Sequence, residues 1–156
     1  MNLRIERIDD HIILYLNKAY MDINEDEIED SLSDIFFSIK KNYLSDLNGY
    51  YDTKIYIDRY YGIIIDMKKE EIDFFDYYDD QIDMRTTIKK AIFLYQIEDN
   101  YWFDLDKVTI YIYGGNIYVQ INEPINKKEM MKLLEHSIIC YQDTEKIIKY
   151  GKKYRR

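Results

Sequence analysis

The segment from Val108 to Ile121 limits what this chain can fold into more than any other stretch. It reads Val108-Thr109-Ile110-Tyr111-Ile112-Tyr113, then Gly114-Gly115, then Asn116-Ile117-Tyr118-Val119-Gln120-Ile121. Both arms alternate and are rich in β-branched and aromatic side chains, which suit a pleated surface. The glycine pair supplies the positive φ angles that a two-residue hairpin turn requires. An isolated hairpin is marginal in water. The chain must therefore bring further strands or helices to cover one face of this one.

Patterning indicates what the rest supplies. Asn24-Glu25-Asp26-Glu27 and Asn126-Lys127-Lys128-Glu129 are both capping boxes, the second just after Pro124. Ile28, Leu32, Ile35, Phe36, Ile39 and Tyr43 follow the first on one helical face; Met130, Leu133, Leu134, Ser137 and Tyr141 follow the second. A last short helix from Asp143 to Tyr150 is expected to end at Gly151, a residue suited to a positive-φ C-cap. Arg4–Leu16 reads as a strand or a tight hairpin turning at Asp9-Asp10, and Thr53–Asp58 with Ile63–Met67 as another hairpin. Residues 70–84 are acidic and aromatic and read as a short helix, with Asp73, Asp76, Asp80 and Asp83 on one face. In Thr86–Gln96, Ile88, Ala91, Ile92 and Tyr95 have helical spacing, while Ala91–Tyr95 would also serve as a buried strand; the reading leans to helix. The expected class is α+β, two small helix-plus-antiparallel-hairpin units with C-terminal helices. Residues 1–70 form a strand-helix-hairpin unit and residues 71–156 a helix-hairpin-helix-helix unit.

Composition narrows the function. Of 156 residues 47% are apolar, and 18 Tyr, 6 Phe and 1 Trp are too many aromatics for a disordered acidic chain. No apolar run approaches the roughly 18–20 residues of a membrane helix. The N-terminus lacks a basic-then-apolar signal, and a lone Cys140 fits a reducing compartment. A soluble cytoplasmic protein with no membrane partner is expected. The net charge of −8 is unevenly spread: residues 1–125 carry 26 Asp+Glu and 13 Lys+Arg, residues 126–156 carry 4 and 9. The acidic body would repel a phosphate backbone, so a nucleic-acid partner is not expected. The basic end (Lys146, Lys149, Lys152, Lys153, Arg155, Arg156) either touches an acidic surface or is the solvated last turn of a helix, whose C-terminus favours cations.

Motifs that carry chemistry are missing. His11 and His136 have no second ligand at zinc spacing. Cys140 reads as a small core hydrophobe. Asp104-Leu105-Asp106 lacks the further oxygen ligands of a calcium loop. No phosphate-cradling glycine loop or nucleophile elbow is present. With 30 carboxylates, any acid–base pair drawn from them has no specificity. No catalytic, cofactor-binding or metal residue is assigned, no cofactor is expected, and the chain reads as a binding protein, not an enzyme. Tyr50-Tyr51, Tyr60-Tyr61 and Tyr77-Tyr78 cannot each share one face, so some tyrosines must be exposed. That fits a partner surface, though an AT-rich genome would raise tyrosine usage with no function attached.

The two ends resemble the MecA-type adaptors, which bring substrates to the ClpC unfoldase. Arg4-Ile5-Glu6-Arg7-Ile8-Asp9-Asp10-His11 is similar to that family's opening strand, and Asp73–Ile82 to its acidic-aromatic segment. Val108–Ile121 stands where the family has a tyrosine-rich strand, a turn and a second strand; Lys132-Leu133-Leu134-Glu135 matches its following helix, and Ile148-Lys149-Tyr150-Gly151-Lys152 its closing motif. The chain departs in a short acidic junction, in Lys149 before Tyr-Gly-Lys and in His136 after Glu135. The resemblance implies recruitment: the N-terminal half holds a substrate protein, and residues from about 72 onward dock on an AAA+ unfoldase. Lys149, Tyr150, Lys152, Tyr111 and Tyr113 are the partner-binding candidates it points to. The charge division supports a second reading, an acidic inhibitor of the immunity or phage-antagonist type that binds a basic protein in a salt-dependent way.

Overall fold

The computed structural model describes residues 4–19, 34, 35, 37, 38, 41, 49–70, 82–99 and 108–155. These are mostly strand, in two five-stranded sheets, which overturns the α+β expectation of helix-plus-hairpin units with C-terminal helices. The first sheet holds β1 (Arg4–Ile8), β2 (His11–Asn17), β3 (Gly49–Asp58), β4 (Gly62–Glu70) and β5 (Ile82–Lys90), in the order β1-β2-β4-β3-β5. The second holds β6 (Leu94–Ile97), β7 (Val108–Tyr113), β8 (Asn116–Ile121), β9 (Ser137–Cys140) and β10 (Lys152–Arg155), in the order β10-β7-β8-β6-β9. Two helices, α1 (Lys127–Glu135) and α2 (Thr144–Tyr150), flank β9 in sequence.

Local chemistry explains several of these elements. β1 and β2 form the hairpin read at Asp9-Asp10, with Asp9 at φ 54°, a left-handed position that Asp tolerates. Gly114 and Gly115, at φ 57° and 79°, turn β7 into β8. At the start of β4, Gly62 has φ 123°. A Cβ there would stand 2.5 Å from Leu16 O and 2.9 Å from Lys18 N, backbone atoms that cannot give way. The capping box of α1 is complete: Glu129 N donates to Asn126 Oδ1 at 2.8 Å and Asn126 N to Glu129 Oε1 at 3.1 Å.

The departures come from non-local pairing. The segment Thr86–Gln96 is not helical. Its first part lies in β5, parallel to β3 with Thr53 opposite Thr86 and Ile55 opposite Ile88, and its last part in β6. The helix begun at Asn126 stops at Glu135, because Ser137–Cys140 leaves it to pair with β6. Ser137 and Tyr141 therefore do not belong to the helical face. Gly151 does end α2, with its N–H on Ile147 O, but at φ −69° and ψ 151°: the chain extends straight into β10 instead of turning left-handed. A Cβ on Gly151 would meet Ile147 O at 2.5 Å and Tyr111 Cβ at 3.3 Å, so close approach is what requires glycine here. The helix expected from Asn24 falls largely outside the described residues; 34, 35, 37, 38 and 41 are helical. Most of the expected helix over 70–84, and Asp104-Leu105-Asp106, also lie outside them. By sheet membership the chain divides between β5 and β6, since β5 completes the first sheet.

Alternation along the strands builds three apolar clusters. On one face of the first sheet, Leu14, Leu16, Tyr51, Ile55, Ile57, Ile63, Ile65 and Met67 are buried, with Ile35 of the helical segment packed on them. Its other face, with Ile13, Tyr15, Tyr56, Tyr61 and Ile64, shares a core with Phe93, Tyr95, Val108, Val119, Ile121 and the α1 residues Met130 and Leu133. On the far side of the second sheet, Leu94, Tyr111, Tyr118 and Ile147 of α2 close a smaller cluster. Each such buried side chain contributes about 1.5–3 kcal/mol, and the central cluster joins the two sheets. No helix is long and apolar enough to cross a membrane, among the described residues.

Candidate functional site

Two places concentrate exposed or titratable side chains. The first lies at the hairpin end of the second sheet. Register sets Lys152 opposite Ile112 and Ile112 opposite Ile117, so the three form one row across β10, β7 and β8. The next row is Tyr154, Ile110 and Val119. Val119 and Val108 on this face are buried in the core shared with the first sheet. Nearer the turn, Ile112 and Ile117 are 40% and 43% exposed. The apolar face that the first sheet covers thus continues past it into solvent. Tyr154 is exposed on the same face; Tyr113, next to Ile112 in β7, is exposed on the opposite face, and Tyr150, where α2 ends, is 67% exposed.

Lysines surround these rings. Lys152 Nζ stands 5.5 Å from the Tyr154 ring centroid and Lys149 Nζ 5.3 Å from that of Tyr150. Exposed cation–π contacts of this kind contribute about 0.5–1 kcal/mol and hold both partners extended over the surface. A hydrogen-bonding contact with Tyr154 raises the pKa of Lys152, which keeps it charged.

Of the five residues singled out from the sequence, four are exposed: Lys152 on the face of Ile112, Tyr113 on the opposite face of β7, and Lys149 and Tyr150 at the end of α2. Tyr111 is not. It is 2% exposed and its hydroxyl donates to Gln120 Oε1 at 2.8 Å. Strand alternation turns it to the α2 side, against Ile147. Sequence reasoning missed Ile112, Ile117 and Tyr154. The hairpin alternation located the two isoleucines on one face, but nothing local showed that the first sheet stops short of them.

The second place lies between the sheets. His11 Nδ1–H donates to Asp66 Oδ1 at 2.7 Å across β2 and β4, and Gln142 Nε2, from the loop before α2, reaches Asp66 Oδ2 at 3.3 Å and the Tyr56 hydroxyl at 3.4 Å. Asp66 is 6% exposed, so the two donors compensate for its loss of water. The Tyr56 and Tyr141 rings meet at 5.0 Å, and Tyr141 meets Phe93 at 6.4 Å. Tyr15 donates to Glu6 Oε2 at 3.0 Å while the Arg4 guanidinium lies over its ring. Burial pushes the Tyr141 hydroxyl well above its ordinary range, and Asp66, Tyr15, Tyr56 and Glu6 push it further. The group clamps a loop of the second sheet onto the first, with its protons held in place.

Cys140 is half-buried in β9; burial raises its thiol pKa, which keeps it protonated and a poor nucleophile. His136 closes α1 and pairs with Asp99 at 2.8 Å. Among the described residues no cluster of three His, Cys, Asp or Glu side chains could hold a metal. Compared with protein-family models, with curated proteins and with solved structures, the chain matches none.

Proposed function

We propose that this chain is a non-enzymatic protein-binding adaptor that docks on an AAA+ Clp-type unfoldase through the hairpin end of its second sheet. One observation carries the reading: Ile112, Ile117 and Tyr154 are exposed on one face of the hairpin end with Lys152 near the Tyr154 ring, while Tyr113 is exposed on the other face and Tyr150, with Lys149 near its ring, where α2 ends. An apolar row edged by an aromatic ring and a cation has the composition of a binding patch with a polar rim. The cations call for an acidic partner surface, which also makes association salt-dependent. The similarity of Lys149-Tyr150-Gly151-Lys152 to the closing motif of MecA-type adaptors names the class of partner.

Fluorescently labelled full-length chain is titrated with a purified ClpC-type unfoldase at two salt concentrations. Saturable binding that weakens at high salt, and at least tenfold in Ile112→Asp and in Tyr150→Ala, is the expected result. Absence of binding by the unaltered chain refutes the reading. Capture of a basic protein through the acidic body instead would establish the inhibitor alternative.

A further inference from the structure

β5 is the outermost strand of the first sheet as described, paired on one side with β3. Six consecutive residues along it, Arg85 to Lys90, are exposed. One bond fixes which way its backbone groups point. Ala91 N donates to Ile57 O at 2.8 Å, toward β3. Backbone groups alternate in direction along a strand, so the N–H groups of Thr86, Ile88 and Lys90 point away from β3, where no described strand pairs with them. A row of such groups is a template for another strand. We propose that this edge takes up an extended acidic segment of a partner protein as an added strand of the first sheet.

Charge selects the occupant. From Met84 to Lys90 the strand carries Arg85, Lys89 and Lys90 and no acid. No ion pair joins Lys89 or Lys90 to another described residue. Alternation and register put Arg85, Thr87 and Lys89 on the face that Asp52 and Lys54 share on β3. Arg85 donates to Asp52 from Nη2 at 3.1 Å and from Nε at 3.4 Å. That carboxyl is held below its ordinary pKa first by the Arg85 bond and further by the charges of Arg85, Lys54 and Lys68, so one acid stands among three cations. The opposite face of β5 carries Thr86 and Ile88, with Met84 packed at the margin of the apolar cluster beneath the first sheet. A strand with acids on one face and apolar residues on the other matches both faces. Opposite charges across a strand pair stabilise it and like charges oppose it. The lysines thus turn away a second, equally basic β5 and leave the edge open to an acidic strand. Main-chain bonds supply the affinity and alternate side chains the choice of sequence. The edge belongs to the first sheet and is independent of the unfoldase-docking surface on β7, β8 and β10.

The probe is a fluorescein-labelled peptide of the length of β5 that alternates Glu and Val. It is titrated with the full chain by anisotropy, and amide exchange is read by NMR. Saturable binding that weakens at high salt is expected, with slower exchange at Thr86, Ile88 and Lys90. Lys89→Glu should weaken binding about fivefold, the scale of reversing one cross-strand charge pair. Lys89 is exposed, so the thermal midpoint should stay unchanged and separate loss of the peptide from loss of fold. The same peptide N-methylated along its backbone keeps every charge, cannot pair with an edge and should not bind. No saturable binding of the unmodified peptide, equal binding of the N-methylated one, unchanged exchange along β5 or unchanged affinity in Lys89→Glu overturns the proposal. So does equal binding of an oligothymidylate, which would make the strand a surface for polyanions in general.

Discussion

Asp58 makes the most demanding test of how the two sheets are joined. It is 7% exposed, and its carboxylate accepts three backbone N–H groups. Oδ2 takes Tyr60 N and Tyr61 N in the β3–β4 turn, at 2.9 and 2.8 Å; Oδ1 takes Phe93 N at 2.9 Å, on the passage from β5 to β6. One side chain therefore fixes a turn of the first sheet and the entry into the second. Asp58→Ala removes all three acceptors. The Tyr60 N–H is partly open to water and recovers a partner there, but the bonds of Tyr61 N and Phe93 N are buried. An orphaned buried donor costs about 1–3 kcal/mol, so the loss should be about 4 kcal/mol. That is a large part of the 5–15 kcal/mol that holds a typical domain. Asp58→Asn keeps one oxygen, which serves either the turn or Phe93 but not both, and should lose about half as much. Guanidinium unfolding gives these differences directly if m is unchanged. Amide exchange at Tyr61 and Phe93 should speed up before global unfolding. A loss below about 1 kcal/mol in Asp58→Ala, or full protection of both amides, would show that the carboxylate does not join the sheets.

Two further predictions concern tyrosine. The Tyr95 hydroxyl is buried without a hydrogen-bond partner among the described residues, so Tyr95→Phe should stabilise the protein by about 1 kcal/mol, read as a higher denaturant midpoint. The phenols of Tyr15, Tyr61, Tyr95 and Tyr141 are all pushed above their ordinary range, chiefly by burial. The unfolded chain releases these protons near pH 10 while the folded chain keeps them, so stability is complete below that pH and falls as it rises. Each such tyrosine contributes about 1.4 kcal/mol per pH unit. The share of tyrosinate absorbance due to these four phenols should thus appear together with loss of near-ultraviolet circular dichroism, as one transition. Ionisation of all 18 tyrosines in a protein that remains folded would contradict this.

Sequence and structure divide along a physical line. The β7–β8 hairpin and the capping box of α1 were legible because their determinants are local: Gly114-Gly115 is the turn, and Asn126 and Glu129 bond each other within three residues. The β3–β4 hairpin was legible for the same reason. The surface lysines and Tyr150 could be named because a charged or polar end stays in water in almost any fold. Pairings between distant segments could not be read. Ile88, Ala91, Ile92 and Tyr95 have a helical period, but Ile88 faces Ile55 across a parallel ladder and Tyr95 faces Val119 across an antiparallel one. β10 is four residues with no period to detect, and the edge of β7 makes it a strand. Tyr111 and Tyr113 look alike in sequence, yet one is core and the other surface, because α2 packs over the first and not the second. Local chemistry determined the turns, the caps and which residues stay wet. The contest between a helix and a distant strand edge was decided by burial, and burial exists only once both sheets are assembled.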